Sequence, residues 1–101
     1  MGDNWISEFI IPQGIPEELS IWANIIEKTA NELCNDPDCR RIRFRIDMTC
    51  KVEMSATDFD ALECFIQSFK KHENMIPALT RKDISNAIGT CVVKCANLLR
   101  N

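Results

Sequence analysis

A chain of 101 residues with a net charge of -3, 46% apolar and 27% charged, has the length and balance of one folded domain. It is too apolar to remain disordered. An isoelectric point near 5.1 also argues against a protein that holds polyanions by bulk charge.

The charge is unevenly spread. Residues 1–39 hold eight acids against Lys28 alone, whereas residues 40–101 carry +4, of which +3 lies in residues 40–54. Such asymmetry marks either a basic surface or an acidic segment that neutralises a basic one within the fold or between subunits.

The amino terminus has no basic n-region, and its one apolar cluster, Phe9 to Ile11, is far shorter than a signal-peptide core or a membrane span. Gly2 is followed by acidic Asp3, and Ile6 stands where a myristoylation signal needs Ser or Thr. A cytoplasmic protein with no membrane attachment is the expectation.

In chain order, "WISEFII" (residues 5–11) is rich in strand formers and stops at Pro12, with Gly14 and Pro16 making the following turn. From Pro16 to about Cys34 the apolar residues Leu19, Trp22, Ile25, Ile26, Thr29 and Leu33 recur at helical spacing, with Glu17 and Glu18 in the first turn. "NDPD" (35–38) ends that helix, because Pro37 cannot continue it.

"RRIRFRIDMTCKVEM" (40–54) then alternates strictly: Ile42, Phe44, Ile46, Met48, Cys50, Val52 and Met54 on one face, and Arg41, Arg43, Arg45, Asp47, Lys51 and Glu53 on the other. It holds no Asn-Gly or Asp-Gly turn signal. One long strand is therefore predicted, with Asp47 to Thr49 as the place where any break would fall.

Ser55 to about His72 reads as a second helix, with Ser55 or Thr57 as cap and Phe59, Leu62, Phe65, Ile66 and Phe69 as its buried side. A connector centred on Pro77 follows. Thr80 with Asp83 forms a second capping pattern, opening a third helix on Ile84, Ile88, Cys91, Cys95 and Leu98. Gly89 inside that helix typically costs about 1 kcal/mol, which suggests the close passage of another backbone.

Residues 1–101 thus read as a single α+β domain of order β-α-β-α-α. A short first strand and one long amphipathic strand form a small sheet, covered on one face by three helices. A long strand with an unpaired edge invites the same strand from a second copy, so a homodimer is expected.

Six cysteines are many for a cytoplasmic chain. Cys91 and Cys95 are one helical turn apart and Cys34 and Cys39 flank the NDPD turn, making these four the candidate metal ligands. Neither spacing is the compact C-x-x-C of a structural zinc site, and Cys50, Cys64, Cys91 and Cys95 fall on apolar faces, so core packing is preferred. No cofactor is expected.

Catalytic constellations are not legible. His72, the single histidine, lies eight residues beyond Cys64 on one helix, roughly 12 Å away at 1.5 Å per residue, too far to share a proton. Asp58 and Asp60 are explained by a first helical turn. The three glycines are scattered and make no phosphate loop.

The arginines are the remaining signal. Side chains at 41, 43 and 45 project from one face about 7 Å apart, joined by Lys51, a comb suited to carboxylates or phosphates. The first expectation is a non-enzymatic interaction or regulatory protein that binds an acidic partner surface through Arg41, Arg43, Arg45 and Lys51. Trp5, Phe9 and Trp22 are the spare aromatics for such an interface.

Two alternatives stand beside it. A strand followed by two capped helices resembles the ribbon-helix-helix DNA-binding dimers, and "ALTRKDISNAI" (78–88) resembles the opening of the second helix there. Asp47, Glu53 and the acidic isoelectric point count against nucleic acid. The third reading is a thiol-based metal or redox sensor.

Overall fold

A computed structural model describes residues 5–11, 16–33 and 41–101. The α+β expectation holds, with one change in the sheet. The elements are β1 (Ile6–Phe9), α1 (Pro16–Leu33), β2 (Ile42–Ile46), β3 (Lys51–Ala56), α2 (Phe59–His72) and α3 (Ala78–Arg100), with a single 3-10 turn at Glu73–Met75 before α3.

The alternating stretch is a hairpin and not one long strand. β2 and β3 pair antiparallel, with Arg45 opposite Glu53 and Phe44 opposite Met54. The reversal is built on Asp47: Cys50 N–H donates to the Asp47 carbonyl at 3.0 Å, and Asp47 N–H to the Lys51 carbonyl at 3.1 Å. The Asp47 carboxylate accepts from Thr49 N–H (2.9 Å), Thr49 Oγ1 (2.6 Å) and Lys51 N–H (3.0 Å). Those bonds hold the Asp47 carboxyl below its ordinary 3.8, the Thr49 hydroxyl being the largest cause.

Cys50 closes the loop in the left-handed region, φ 59°. A three-residue hairpin loop needs a left-handed residue there, normally glycine. With cysteine in that place the usual turn signature is missing from the sequence. Met48, expected on the apolar face, is at the exposed tip.

β3 is the central strand, in the order β1-β3-β2. β1 pairs with it antiparallel, Ile6 opposite Met54 and Phe9 opposite Lys51. β1 and β2 are thus parallel to each other but separated by β3, and α1 is the crossover of a split β-α-β unit.

All three helices pack on one face of the sheet. α1 lies on β2, α3 on β1 and β3, and α2 mainly against α1. The core between them gathers Phe44, Trp22, Phe65 and Phe69: Trp22 makes T-shaped pairs with Phe44 and Phe69 at 5.8 Å each, and Phe44 lies 4.9 Å from Phe65. Two polar ties join α1 to α2 without leaving a donor unpaired. Trp22 Nε1 donates to the His72 carbonyl (3.2 Å) and Ser68 Oγ to the Ile26 carbonyl (3.1 Å).

Local details correct the expected caps. Asp58 caps α2, its carboxylate accepting from Ala61 N–H at 2.7 Å, while Ser55 is buried in β3. α3 opens at Ala78 behind Pro77, and Thr80 is buried two residues in, its hydroxyl donating to the Pro77 carbonyl at 3.1 Å. Among the described residues, leaving aside its own helix, a Cβ on Gly89 would meet nothing within 4 Å, so no other backbone there passes close to it.

The sheet edge expected to recruit a second copy is partly occupied from within the chain. In β2 the outward backbone groups belong to Ile42, Phe44 and Ile46. Phe44 N–H donates to Glu27 Oε2 at 2.7 Å, and the Ile46 carbonyl accepts from Ser20 Oγ at 2.9 Å. Both side chains come from α1, so the first helix supplies hydrogen-bond partners to the strand's outward backbone.

Candidate functional site

Because the helices occupy one side of the sheet, the other side faces solvent. The alternation that sends Phe44, Val52 and Met54 inward sends Ser7 and Phe9 from β1 with Trp5 just before it, Arg43 and Arg45 from β2, and Lys51 and Glu53 from β3 to the opposite face. The comb is therefore assembled from two short strands, with β1 lying beside it.

Its cations are not loose. Arg45 is ion-paired with Glu53 directly across the hairpin and lies 5.2 Å from the centre of the Trp5 ring. Lys51 lies 5.7 Å from the centre of the Phe9 ring, opposite which it pairs. An exposed cation over an aromatic face gains about 0.5–1 kcal/mol, enough to bias the rotamers of a long side chain. Arg43 sits half-buried between Arg45 and the end of the strand.

Arg41 belongs elsewhere. Its guanidinium grips Asp58 in two bonds, Nε to Oδ2 at 2.9 Å and Nη2 to Oδ1 at 2.7 Å. It thus fastens the start of β2 to the start of α2, while Arg43, Arg45 and Lys51 share the open face. Sequence spacing placed Arg41 in the comb because it could not show a partner seventeen residues on.

Asp58 carries two duties, cap and counter-ion. Its carboxyl is held below the ordinary 3.8, first by the Arg41 guanidinium and then, against the opposing effect of burial, by Ala61 N–H. A depressed carboxyl contributes stability that is complete above 3.8 and is lost as pH falls through its lower folded value. Asp58→Ala is expected to cost about 1 kcal/mol, within the usual 0.5–2 for a cap. Thermal melts as a function of pH should show the wild-type advantage shrinking below pH 3.8; an advantage unchanged under acid would contradict the assignment.

The cysteine candidates divide. Cys34 and Cys39 lie outside the described residues. Cys91 and Cys95 are buried on α3, and burial pushes the Cys91 thiol up to about 12, with Cys95 and Glu8 adding to it; Cys95 is also raised, by burial. Thiols so shifted are poor thiolate donors. Among the described residues no three His, Cys, Asp or Glu side chains gather as a metal site.

His72 points its Nδ1 at the Ser68 carbonyl, 2.9 Å away, within its own helix. Trp22, weighed as an anchor, is core; Trp5 and Phe9 are exposed, by 39% and 72%. Among the described residues no helix is long and apolar enough to cross a membrane. Compared with known protein families, with curated proteins and with solved structures, the chain matches none.

Proposed function

We propose that the protein is a small non-enzymatic interaction or regulatory module whose open sheet face binds an acidic surface on a partner protein. Arg43, Arg45 and Lys51 supply the charge, and Trp5 and Phe9 the apolar contact. The observation that carries it is the pairing of cation with ring on that face, Arg45 over Trp5 and Lys51 over Phe9. Side chains already ordered lose less entropy on binding, and Arg and Trp are the residues most enriched at binding hot spots.

Glu53 neutralises Arg45, so the net positive charge offered to a partner comes from Arg43 and Lys51. Arg43 has the planar fork that takes a carboxylate in two bonds. A cytoplasmic setting and a homodimeric state accompany this proposal.

The DNA-binding alternative has lost the topology that suggested it, since the strand before the two helices is an intrachain hairpin with β1 at its side. The thiol-sensor alternative is weakened by the raised Cys91 and Cys95.

The test is a titration with poly-glutamate and, in parallel, with random duplex DNA, of wild type and the double variant Arg43→Glu with Lys51→Glu. Wild type should prefer poly-glutamate, and the variant should lose at least about tenfold in affinity, near 1.4 kcal/mol. Its stability should fall by only about 0.5–1 kcal/mol, the worth of the lost Lys51–Phe9 contact, so it should remain folded. Undiminished binding by a folded variant removes the proposal. Tighter binding to DNA, falling steeply with salt, would replace the acidic partner by a nucleic acid.

A further inference from the structure

The two edges of the sheet are treated differently. On β2, Glu27 and Ser20 from α1 occupy the Phe44 N–H and the Ile46 carbonyl. β1 differs. Ile10 N–H donates to the Cys50 carbonyl, so Ile6, Glu8 and Ile10 turn their backbone groups to β3, while Trp5, Ser7 and Phe9 turn theirs away from the sheet. Among the described residues no hydrogen bond reaches those outward N–H and C=O groups.

The devices that usually protect an edge are also missing. Neither proline nor lysine lies within Trp5–Ile11, and its one charge, Glu8, points to the helical side, where Lys94 neutralises it at 3.3 Å. Beside the edge runs a shallow groove to α3 lined by Asp83, Asn86, Ala87 and Thr90, all short side chains. Among the described residues nothing pairs with this edge, which presents no charged side chain on the open face and is flanked by exposed Phe9 and Ile11.

We infer that this edge pairs with the same edge of a second copy, antiparallel about a two-fold axis through Ser7. The register follows from the side chains. Centring on Ser7 sets Trp5 opposite the second copy's Phe9 and Phe9 opposite its Trp5, so both exposed aromatics gain an aromatic neighbour on the open face. Ile6 then stands opposite Glu8, and Ser7 opposite Ser7. Centring on Glu8 instead would set the two Glu8 side chains against each other, which like charge disfavours.

The chosen register also satisfies all the outward groups, because residues 5, 7 and 9 of each copy fall in hydrogen-bonded pairs. The result is a six-stranded antiparallel sheet in which the row Arg45, Trp5, Phe9, Lys51 runs across the seam twice. The cationic face is doubled. The second copy is favoured over an unrelated strand because the aromatic match recurs in both directions only when the segment meets itself.

A seam of such short strands is small, and association in the micromolar range or weaker is expected. Sedimentation over a series from micromolar to millimolar should show the mass rise from one chain of 11.6 kDa toward two. Ser7→Pro removes an outward N–H at a position where an edge tolerates proline, and should stay monomeric with an unchanged circular dichroism spectrum. Should that variant fold poorly, Ser7→Cys gives a second reading. Its two sulfurs would sit on residues about 5.5 Å apart between Cα atoms, inside the range for a disulfide, so mild oxidation should yield a covalent dimer that wild type does not form.

A wild type that remains monomeric to millimolar concentration overturns the inference, in favour of a strand from another protein or an edge left bare. A folded Ser7→Pro that still dimerises, or cross-linking from Glu8→Cys in place of Ser7→Cys, overturns it too. None of these measurements involves an acidic partner, so their failure and the failure of the proposed function are separately visible.

Discussion

Replacing Phe44 by alanine is expected to cost about 3–5 kcal/mol, the usual range for removing a buried aromatic ring. A domain of this size has only about 5–15 kcal/mol to lose, so the variant should give up a large part of its stability. Phe44 is 1% exposed and stands where three elements converge. Trp22 of α1 lies at 5.8 Å in a T-shaped pair and Phe65 of α2 at 4.9 Å. Its own N–H is held by Glu27.

Removing the ring leaves a cavity that α1 and α2 cannot both move to fill, because Trp22 Nε1 and Ser68 Oγ tie them together. Phe44→Leu keeps most of the volume and should lose far less. Urea unfolding followed by Trp22 fluorescence measures both. A loss below about 1 kcal/mol for Phe44→Ala would show that this ring is not the centre of the core.

Cys50→Val should also be destabilising, by about 1–3 kcal/mol, although valine is the better strand residue and the position is buried. The cause is the backbone. At φ 59° a β-branched side chain crowds its own carbonyl. Cys50→Gly removes the same crowding but leaves the space of a small buried thiol, so the two effects oppose and the net change should be smaller.

The predicted order of stability, Gly above Val, is the reverse of what burial alone would give. Equilibrium unfolding of the two variants decides it. If valine proves the more stable, the hairpin does not turn at Cys50, and the register that sets Arg45 against Glu53 falls with it. The open face depends on that register.

The hairpin shows why a pattern can be right and the topology drawn from it incomplete. Ile46 pairs with Val52, an even separation, so the inward and outward parity of the residues runs through the turn unbroken. A single strand and this hairpin therefore have the same alternation. The one residue that distinguishes them, Met48, changes from an inward position to an exposed tip.

Glycine at position 50 would have declared the turn; cysteine conceals it. Asp47 was the remaining signal, because its side chain can accept from the backbone two residues on. The capping corrections have a similar source. Thr80 and Ser55 fit the local capping pattern, but both are buried, and burial is a property of the assembled fold.

What the sequence by itself determined was the class of the domain, the helices and the two faces of the alternating stretch, because these rest on the 3.6 and 2.0 residue periods of helix and strand. The same periodicity placed Arg43, Arg45 and Lys51 together. Partnership was decided by the tertiary structure alone. That β3 lies between β1 and β2, that Arg41 pairs with Asp58, that α1 occupies backbone groups of the β2 edge, all depend on residues distant in the chain meeting in space. Periodicity reports which way a side chain faces, and only packing says what it meets.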